Sequence, residues 1–323
     1  MRCCVIKAVC ISNYNDDEQN DKIRAACDRY GYEVSFFRHS DDAAGNVADA
    51  EVAFCSGPDA LGYMKRLKWC HADSAGVDHY LKTGAFDDGS VVLTNSSGAF
   101  GRAISEHIIM TALMLLRRMP EYLEMTGRRE WKHDLQIRSI QDSNIAILGT
   151  GNLGGTAAEK FKGLGAASVI GFSRSGRAKD AFDAVYPMTE FADHIGDADV
   201  IVLCLPNTYE TKGIIDAEKI AAMPRKACLI NVGRGATLDQ DTLVCALNEG
   251  RLAGAALDVA VPEPLPADHP LWTAKNCIIT PHCSGDMGLK YSVDYTVDVF
   301  CENLGRYAAG EPLVNVVDTK AGY

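Results

Sequence analysis

The 323-residue chain is long enough for two ordinary domains. Hydrophobic residues make up 47% of it and charged residues 23%, a globular composition that argues against a disordered, fibrous or small disulfide-rich protein. Asp and Glu together number 43 and Lys and Arg 32, so the formal net charge is −11. Because phosphate groups are bound by clustered cations, we expect neither a nucleic acid nor a membrane as a partner.

The N-terminal segment and the cysteines favour a cytoplasmic protein. The first apolar stretch is short and is interrupted by Lys7, unlike a signal peptide. No uncharged run approaches the roughly 20 apolar residues that span a bilayer. No two of the 12 cysteines are spaced C-x-x-C, and Cys204, Cys228 and Cys277 lie inside apolar runs. These cysteines are typical of buried thiols in a reducing compartment, so we expect no disulfide framework and no metal site.

The first hundred residues alternate between predicted strands and helices. Residues 21–30 have the apolar spacing of a helix, and residues 72–78 form a turn-rich segment. The predicted strands are 5–11, 34–37, 50–55, 67–71 and 91–94. Strands that alternate with helices indicate a parallel sheet with helices on its faces.

The following segment repeats this pattern with longer apolar runs. Residues 104–118 are predicted as a long apolar helix that Pro120 ends, and residues 143–148 as a buried strand. Further predicted strands are 169–172, 200–205, 228–232, 254–258 and 277–280, and the predicted helices between them are 157–164, 216–223 and 240–249. The pattern indicates one doubly wound α/β domain, followed by a helix over about 288–309.

The turn after the first strand of this domain carries the pattern G-x-G-x-x-G, formed by Gly149, Gly151 and Gly154. The pattern alone is weak, but here it follows an apolar strand and precedes a predicted helix, as a dinucleotide-binding turn requires. Gly149 would allow the tight turn, Gly151 the approach of a pyrophosphate and Gly154 the packing of helix on strand. The N–H groups at the start of the helix, near Asn152 and Leu153, would face the anion. The alternative is a plain β–α turn with an incidental glycine cluster.

The end of the second strand of this domain predicts which nicotinamide cofactor is used. An NAD site usually has an acidic residue there, which binds the ribose hydroxyls. No acidic residue lies between Glu159 and Asp180, and Arg174 stands at the expected place with Ser173 and Arg177 nearby. A guanidinium group matches a 2′-phosphate in shape and charge, so we expect a preference for NADP(H), with NAD(H) as the second choice. The alternative is an exposed arginine without any role in selectivity.

Three polar residues follow predicted strands of the same domain. Arg234 lies in NVGRG, Glu263 between two prolines, and His282 in TPHCSG. Ligands of doubly wound sheets bind beyond the carboxyl ends of the strands, where these residues would suit a carboxylate-bearing substrate and proton transfer. Each has a structural alternative: a solvated cation, a rigid surface loop and a turn residue. Their occurrence together favours a functional site.

The motifs identify a family resemblance that covers nearly the whole chain. They are GTGNLGG at 149–155, NVGRG at 231–235, LDVAVPEPLPADHPLW at 257–272 and TPHCSG at 280–285, with weaker matches SAGVDHYL at 74–81 and ISEHIIMTALMLLRR at 104–118. In these segments the chain resembles the D-isomer-specific 2-hydroxyacid dehydrogenases, and in particular proteins like glyoxylate/hydroxypyruvate reductase.

The resemblance implies an α/β fold with two domains. A doubly wound, parallel-sheet Rossmann domain for dinucleotide binding, residues 100–291, would be inserted into a flavodoxin-like α/β substrate-binding domain, residues 1–99 plus 292–323. In the family the substrate pocket lies in the cleft between the domains.

The resemblance also implies roles for the residues that match the family motifs. His282 would protonate the carbonyl oxygen of a 2-oxo acid during reduction and act as the base in the reverse direction. Glu263 would hydrogen-bond His282 and favour its protonated form. Arg234 would bind the substrate carboxylate and polarise the carbonyl. Backbone N–H groups would bind the same carboxylate; these belong to Ala75, Gly76 and Val77.

Further positions would contact the cofactor by the same resemblance. Asp258 would hold the carboxamide of the nicotinamide, and the segment containing Leu205, Pro206 and Thr211 would pass beside the cofactor together with Val232. Hydride transfer to the 2-oxo carbon would give the D-2-hydroxy acid. The resemblance implies a homodimer as well.

Two alternatives stay open from the sequence. The substrate could be a small acid such as glyoxylate or hydroxypyruvate, or a bulkier aromatic or branched 2-oxo acid. A protein of a different class is a cofactor-sensing, corepressor-like binding protein of the same fold. The complete set of Arg234, Glu263 and His282 favours an enzyme.

Overall fold

The computed structural model describes residues 6–322 and divides the chain into two compact units. The discontinuous unit contains Met1–Phe100 and Asp286–Tyr323, and the inserted unit contains Gly101–Gly285. The sequence prediction set the second boundary after residue 291. The structure sets it before the final helix, so that this helix stays whole within the discontinuous unit.

The discontinuous unit is built on a parallel sheet with the order β2-β1-β3-β4-β5. Its strands are β1 (Ile6–Ile11), β2 (Tyr32–Phe37), β3 (Val52–Cys55), β4 (Trp69–Ala72) and β5 (Val92–Thr94). Its helices are α1 (Asp17–Tyr30), α2 (Ser40–Ala43), α3 (Asp78–Leu81) and α10 (Lys290–Ala309). This strand order is that of flavodoxin-like folds, as predicted. Val5, the first residue of the predicted first strand, lies outside the described residues.

Helix α1 begins earlier than the apolar spacing predicts. The side chain of Asp16 accepts hydrogen bonds from the backbone N–H groups of Glu18 and Gln19, and the Gln19 side chain accepts one from the N–H of Asp16. This capping box satisfies donors at the helix start, so a polar first turn can be helical without apolar contacts. Gly31 ends the helix in the left-handed conformation, with a φ of 78°.

The inserted unit contains a parallel sheet with the order β12-β11-β10-β9-β6-β7-β8. Its strands are β6 (Asn144–Leu148), β7 (Ser168–Ser173), β8 (Ala184–Pro187), β9 (Val200–Leu203), β10 (Cys228–Asn231), β11 (Gly254–Leu257) and β12 (Cys277–Ile279). Its helices are α4 (Gly101–Leu116), α5 (Met119–Gly127), α6 (Asn152–Gly163), α7 (Phe191–His194), α8 (Ala217–Ala222) and α9 (Gln240–Asn248). Counted from β6, this is the Rossmann order extended by one strand.

The buried strands of the inserted unit explain why its sheet was predictable. Strands β9, β10 and β11 are buried at every position, because helices cover both faces of the sheet. Strand β8 was not predicted: it is a half-buried edge strand that ends in Pro187, so its sequence lacks the apolar run of a central strand. The changeover in strand order lies between β6 and β9, which places a binding crevice at their carboxyl ends.

Two further observations concern the described residues. The cysteines from Cys10 onwards form no disulfide bonds. Within residues 6–322, no helix has both the length and the apolar character needed to cross a membrane.

Candidate active site

Three loops that follow neighbouring strands carry the residues predicted for catalysis. Arg234 follows β10, Glu263 follows β11 and His282 follows β12. These strands are adjacent and parallel, so their carboxyl ends lie at one edge of the sheet of the inserted unit. The order of the sheet therefore explains how residues far apart in sequence come to share one region.

His282 and Glu263 form a direct pair. The Nδ1 atom of His282 lies 2.8 Å from Oε2 of Glu263, and Oε1 of Glu263 accepts the backbone N–H of Ala260 at 2.9 Å. The second contact fixes the carboxylate against its own loop, so it can orient the imidazole ring. Within residues 6–322, Nε2 of His282 has no hydrogen-bond partner, which leaves this nitrogen for a ligand.

Asp258 holds the loop on which His282 lies. It is only 2% exposed, and its carboxylate accepts hydrogen bonds from the Thr280 hydroxyl at 2.6 Å and from the backbone N–H groups of Cys283 and Ser284 at 3.0 Å. Burial raises the pKa of Asp258, but these hydrogen bonds outweigh burial, so that its pKa lies below the ordinary value. Asp258 is therefore a buried anion that stabilises the His282 loop by accepting its backbone N–H groups.

The backbone of His282 is in an unusual conformation. Its φ is 55°, in the left-handed region that a residue with a Cβ seldom adopts. Its N–H donates to the backbone carbonyl of Asp258 at 2.8 Å. Together with the carboxylate contacts of Asp258, this bond holds a conformation that the histidine would not favour by itself.

The loop of Arg234 packs directly on the loop of Glu263. A Cβ on Gly235 would collide with the backbone of Ala260, so only glycine allows this approach. The side chain of Asn231, fully buried, donates to the carbonyl of Arg234 at 3.2 Å and accepts the N–H of Gly233 at 3.1 Å. The guanidinium of Arg234 itself donates to the carbonyl of Gly233 at 2.8 Å. Arg234 therefore lies on a short, internally bonded loop beside the His282–Glu263 pair.

Two residues that the sequence analysis did not single out support these loops. The Gln240 side chain donates to the carbonyl of Val261 at 2.7 Å and accepts its N–H at 2.8 Å, which clamps the loop just before Glu263. His107 on α4 lies 3.3 Å from the Thr280 hydroxyl. That hydroxyl gives its proton to Asp258, so neutral His107 carries its proton on Nε2. Burial lowers the pKa of His107, with Asp258 opposing the shift, which favours the neutral form.

The glycine-rich turn has the geometry that its sequence predicts. Gly149 has a φ of 102°, and its N–H donates to the carbonyl of Phe172 at 2.8 Å, which ties the turn to β7. A Cβ on Gly154 would collide with the carbonyl oxygen of Gly149, so the start of α6 can lie against the turn only with glycine at this position. Gly151 precedes the helix, and a Cβ there would meet no atom within 4 Å. Asn152 and Leu153 form the first helical turn.

The turn after β7 presents cations to solvent. Arg174 and Arg177 are exposed, and the hydroxyl of Ser173 accepts the N–H of Gly176 at 3.1 Å to close the turn. Arg174 lies 3.6 Å from Glu210, which belongs to the loop after β9. The residue at the position of the usual NAD-binding acid is thus a cation paired with an acid from a neighbouring loop.

The loop after β9 contains the other residues predicted to contact the cofactor. Leu205 is buried, and the hydroxyl of Thr211 donates to the carbonyl of Pro206 at 2.5 Å, which closes the loop on itself. Val232 is buried beside it and donates its N–H to the carbonyl of Leu203 at 3.1 Å. The structure therefore brings this loop, the glycine-rich turn and the turn after β7 to the same carboxyl edge of the sheet.

The discontinuous unit carries the loop predicted to bind a carboxylate. Within residues 6–322, the N–H groups of Ala75, Gly76 and Val77 have no acceptor. The loop is held in place through its carbonyl groups: Asn95 donates to the carbonyl of Ala75 at 2.9 Å, and the Ser74 hydroxyl donates to that of Gly76 at 2.8 Å. Consecutive N–H groups without acceptors are suited to an anion.

Comparison with known proteins places this geometry in a family. Residues 109–284 match the family model described as "D-isomer specific 2-hydroxyacid dehydrogenase, NAD binding domain". A glyoxylate/hydroxypyruvate reductase A from Photorhabdus laumondii subsp. laumondii is 31% identical over 281 residues, which is 85% of this chain and 88% of the relative.

Solved structures agree with the sequence comparison. A D-isomer-specific 2-hydroxyacid dehydrogenase family protein from Aeromonas salmonicida subsp. salmonicida is 32% identical, with a TM-score of 0.84 over 98% of this chain and 99% of that one. An NADPH-dependent glyoxylate/hydroxypyruvate reductase from Sinorhizobium meliloti, solved with NADP and sulfate, is 28% identical, with a TM-score of 0.82 over 98% of this chain and 100% of that one. The chain belongs to the D-isomer-specific 2-hydroxyacid dehydrogenase family.

Proposed function

We propose that the protein is an NADPH-dependent reductase that converts a small 2-oxo acid into its D-2-hydroxy acid. The observation that carries the proposal is the hydrogen-bonded pair of His282 and Glu263, with Arg234 on the adjoining loop, at the carboxyl edge of a dinucleotide-binding sheet. A proton donor beside a forked cation is what reduction of a carboxylate-bearing ketone requires.

The residues of the inserted unit fit a dinucleotide. The closely packed turn at Gly149 and Gly154 leads into the twelve-residue helix α6. The first N–H groups of this helix have no intrahelical acceptors, as a pyrophosphate site needs. Gly151, Asn152 and Leu153 would supply these groups. Leu205, Pro206, Thr211 and Val232 would border the rest of the cofactor. When bound, the reduced nicotinamide supplies the hydride.

NADP(H) is preferred over NAD(H) in this proposal. A carboxylate after β7 would repel a 2′-phosphate, and this turn instead offers Arg174, Arg177 and the hydroxyl of Ser173. The reductase from Sinorhizobium meliloti was solved with NADP and is described as NADPH-dependent, which supports the same choice here.

His282 is proposed to donate and accept the proton of the reaction, with Glu263 as its hydrogen-bond partner. The Glu263 carboxylate accepts from Nδ1 of His282 and orients the ring, so that Nε2 can protonate the carbonyl oxygen as the 2-oxo carbon is reduced. In the reverse direction, neutral His282 accepts the proton of the hydroxyl group. Asp258 contributes by holding the His282 loop, and its predicted contact with the nicotinamide carboxamide remains part of the proposal.

Arg234 and the loop of residues 75–77 are proposed to bind the substrate carboxylate. The guanidinium can form two parallel hydrogen bonds to a carboxylate and also stabilise charge that develops on the carbonyl oxygen. The N–H groups of Ala75, Gly76 and Val77 have no acceptor among residues 6–322 and would complete the carboxylate contacts. Glyoxylate and hydroxypyruvate are the proposed substrates, because the similar proteins from Photorhabdus laumondii and Sinorhizobium meliloti are glyoxylate/hydroxypyruvate reductases.

The test is the initial rate of NADPH and NADH oxidation at neutral pH with a graded series of acids. The series runs from glyoxylate and hydroxypyruvate through pyruvate and 2-oxoisovalerate to phenylpyruvate. We expect turnover of the small acids with NADPH, and a D product on chiral chromatography. Binding of NADPH without turnover of any acid would contradict the proposal and favour the corepressor-like alternative, which the comparisons do not support.

A further inference from the structure

One buried carboxyl group has no part in the reaction described above. Asp73 immediately follows β4 and immediately precedes the loop of residues 74–77, and it is 6% exposed. Its N–H donates to the carbonyl of Cys55, and its carboxylate accepts the hydroxyl proton of Ser56. Asp73 therefore anchors the start of the loop to the end of β3.

The surroundings of Asp73 provide no counter-charge. Within residues 6–322, no Lys, Arg or His forms an ion pair with it. The titratable groups that face it are Cys10 of β1, Cys70 of β4 and Tyr80 of α3, and all three have a raised pKa and stay neutral. The carboxylate is contacted by the hydroxyl of Ser56 and by its own backbone N–H, which together are too little to compensate a buried charge.

This environment makes the charge of Asp73 sensitive to pH. Burial raises its pKa from 3.8 to about 6, and the hydrogen bond from Ser56 partly opposes the shift. The carboxyl group thus changes charge near neutral pH. This change of charge occurs directly before the loop of residues 74–77, in which the N–H groups of residues 75–77 are suited to an anion.

We propose that Asp73 is a positioning residue whose charge state sets how tightly the loop of residues 74–77 holds the substrate carboxylate. The proposal rests on the proposed function, because it takes that loop as a carboxylate site. Protonated Asp73 anchors the loop without opposing an anion. Ionised Asp73 places a negative charge at the start of the loop that holds the carboxylate, and like charges repel.

The experiment measures anion binding without catalysis. In the His282→Gln holoenzyme with NADPH, which lacks the imidazole of the proposed proton donor, the Kd of oxamate is measured from the fluorescence of the bound cofactor. We expect the Kd to rise about tenfold between about pH 5 and pH 8. Adding Asp73→Asn should remove most of that rise, because asparagine keeps the size of the side chain but cannot ionise. His79, which packs on Tyr80 in α3, is present in both proteins, so its contribution cancels in the comparison.

A second variant tests the same role in another way. Ser56→Ala removes the donor that favours ionised Asp73, so the rise in Kd should move to higher pH, a shift that a purely structural role would not cause. Asp59→Asn, at an exposed acid of the same unit, is the matched control and should leave the profile unchanged. The proposal would be overturned if the Kd of oxamate depended on pH identically in His282→Gln with and without Asp73→Asn. It would also be overturned if Ser56→Ala left the pH dependence of this Kd unmoved. Absence of turnover by the unmodified enzyme would instead contradict the proposed function.

Discussion

His282 donates its backbone N–H to the carbonyl of Asp258 over 2.8 Å, and the Asp258 carboxylate accepts the N–H groups of the two residues that follow His282. One buried acid thus holds the backbone on which the proton donor lies. Because His282 has a φ of 55°, its conformation depends on these bonds rather than on its own preference. The site is therefore sensitive to changes at a residue that need not touch the substrate.

Asp258→Asn is expected to lower kcat about 10- to 100-fold, because a small displacement of a catalytic group costs that much. The amide would offer a donor where either the Cys283 N–H or the Ser284 N–H needs an acceptor. Steady-state kinetics and the thermal unfolding midpoint would be measured together. Asp268→Asn, at an exposed acid of the neighbouring loop, is the control and should change neither. Full activity of Asp258→Asn would show that the loop does not require the carboxylate.

His282→Gln is expected to reduce kcat by about 10²- to 10⁴-fold, the usual contribution of a positioned proton donor. The loss should affect both directions, because the same imidazole donates the proton in reduction and accepts it in oxidation. Initial rates in both directions would check this. A variant with near-normal turnover would remove His282 from the mechanism.

Glu263→Gln tests the partner of His282 separately. Without the carboxylate at 2.8 Å, the imidazole ring loses the acceptor that orients it through Nδ1, so kcat should fall by about 10-fold or more. Initial rates of reduction and oxidation would measure this loss. A kcat equal to that of the unmodified enzyme would show that Glu263 does not position His282.

Cofactor choice can be tested at Arg174 and at its ion-pair partner. Arg174→Asp should raise the KM for NADPH by about 10-fold or more and leave the KM for NADH nearly unchanged, because a carboxylate repels the 2′-phosphate. Glu210→Gln should have the opposite effect and lower the KM for NADPH by about two- to fivefold, since Glu210 no longer competes for the guanidinium. If Arg174→Asp changed the KM for NADPH and the KM for NADH equally, Arg174 would not be the residue that selects NADP(H).

The strands other than β8, the glycine-rich turn and the three residues proposed for catalysis could be predicted because each leaves a local pattern in the sequence. Continuous apolar runs mark strands buried on both faces, and G-x-G-x-x-G after such a run marks the turn. Parallel neighbouring strands then imply that loops following them meet.

The supporting contacts leave no such pattern. Gln240 clamps a loop 21 residues away, and His107 lies on a helix far earlier in the chain than its partner Thr280. Asp73 looked like one more polar residue in a turn-rich segment, although the fold buries it. These roles arise from tertiary packing, which the spacing of residues in one sequence does not encode.

We further expect the protein to be a homodimer that forms through the first two helices of the inserted unit. Met110 and Leu113 on α4 and Met119 and Leu123 on α5 are apolar and exposed, and Leu123 is 56% exposed. Exposed apolar residues grouped in this way favour an interface. Light scattering should give twice the mass of one chain, and Leu123→Glu should shift the population towards monomer. Leu164→Glu, at an exposed residue just after the end of α6, should not. A monomeric unmodified protein would contradict this expectation.

The buried acid Asp73 should make the free energy of unfolding depend on pH. Its pKa is raised from 3.8 to about 6 in the folded protein, so between these values the folded state binds a proton that the unfolded state has released. Stability therefore falls as pH rises through this window, by up to about 3 kcal/mol for a shift of this size. The Asp73→Asn variant has no group that ionises at this position, so it should not show this loss of stability.

Urea unfolding of both proteins at about pH 4 and about pH 7 measures the difference. Relative to Asp73→Asn, the unmodified protein should lose stability on going from the lower to the higher pH. Ser56→Ala should enlarge that loss, because removal of the donor raises the cost of the buried charge. If the two proteins instead kept a constant difference in unfolding free energy, Asp73 would have to ionise in the folded state as readily as in the unfolded chain.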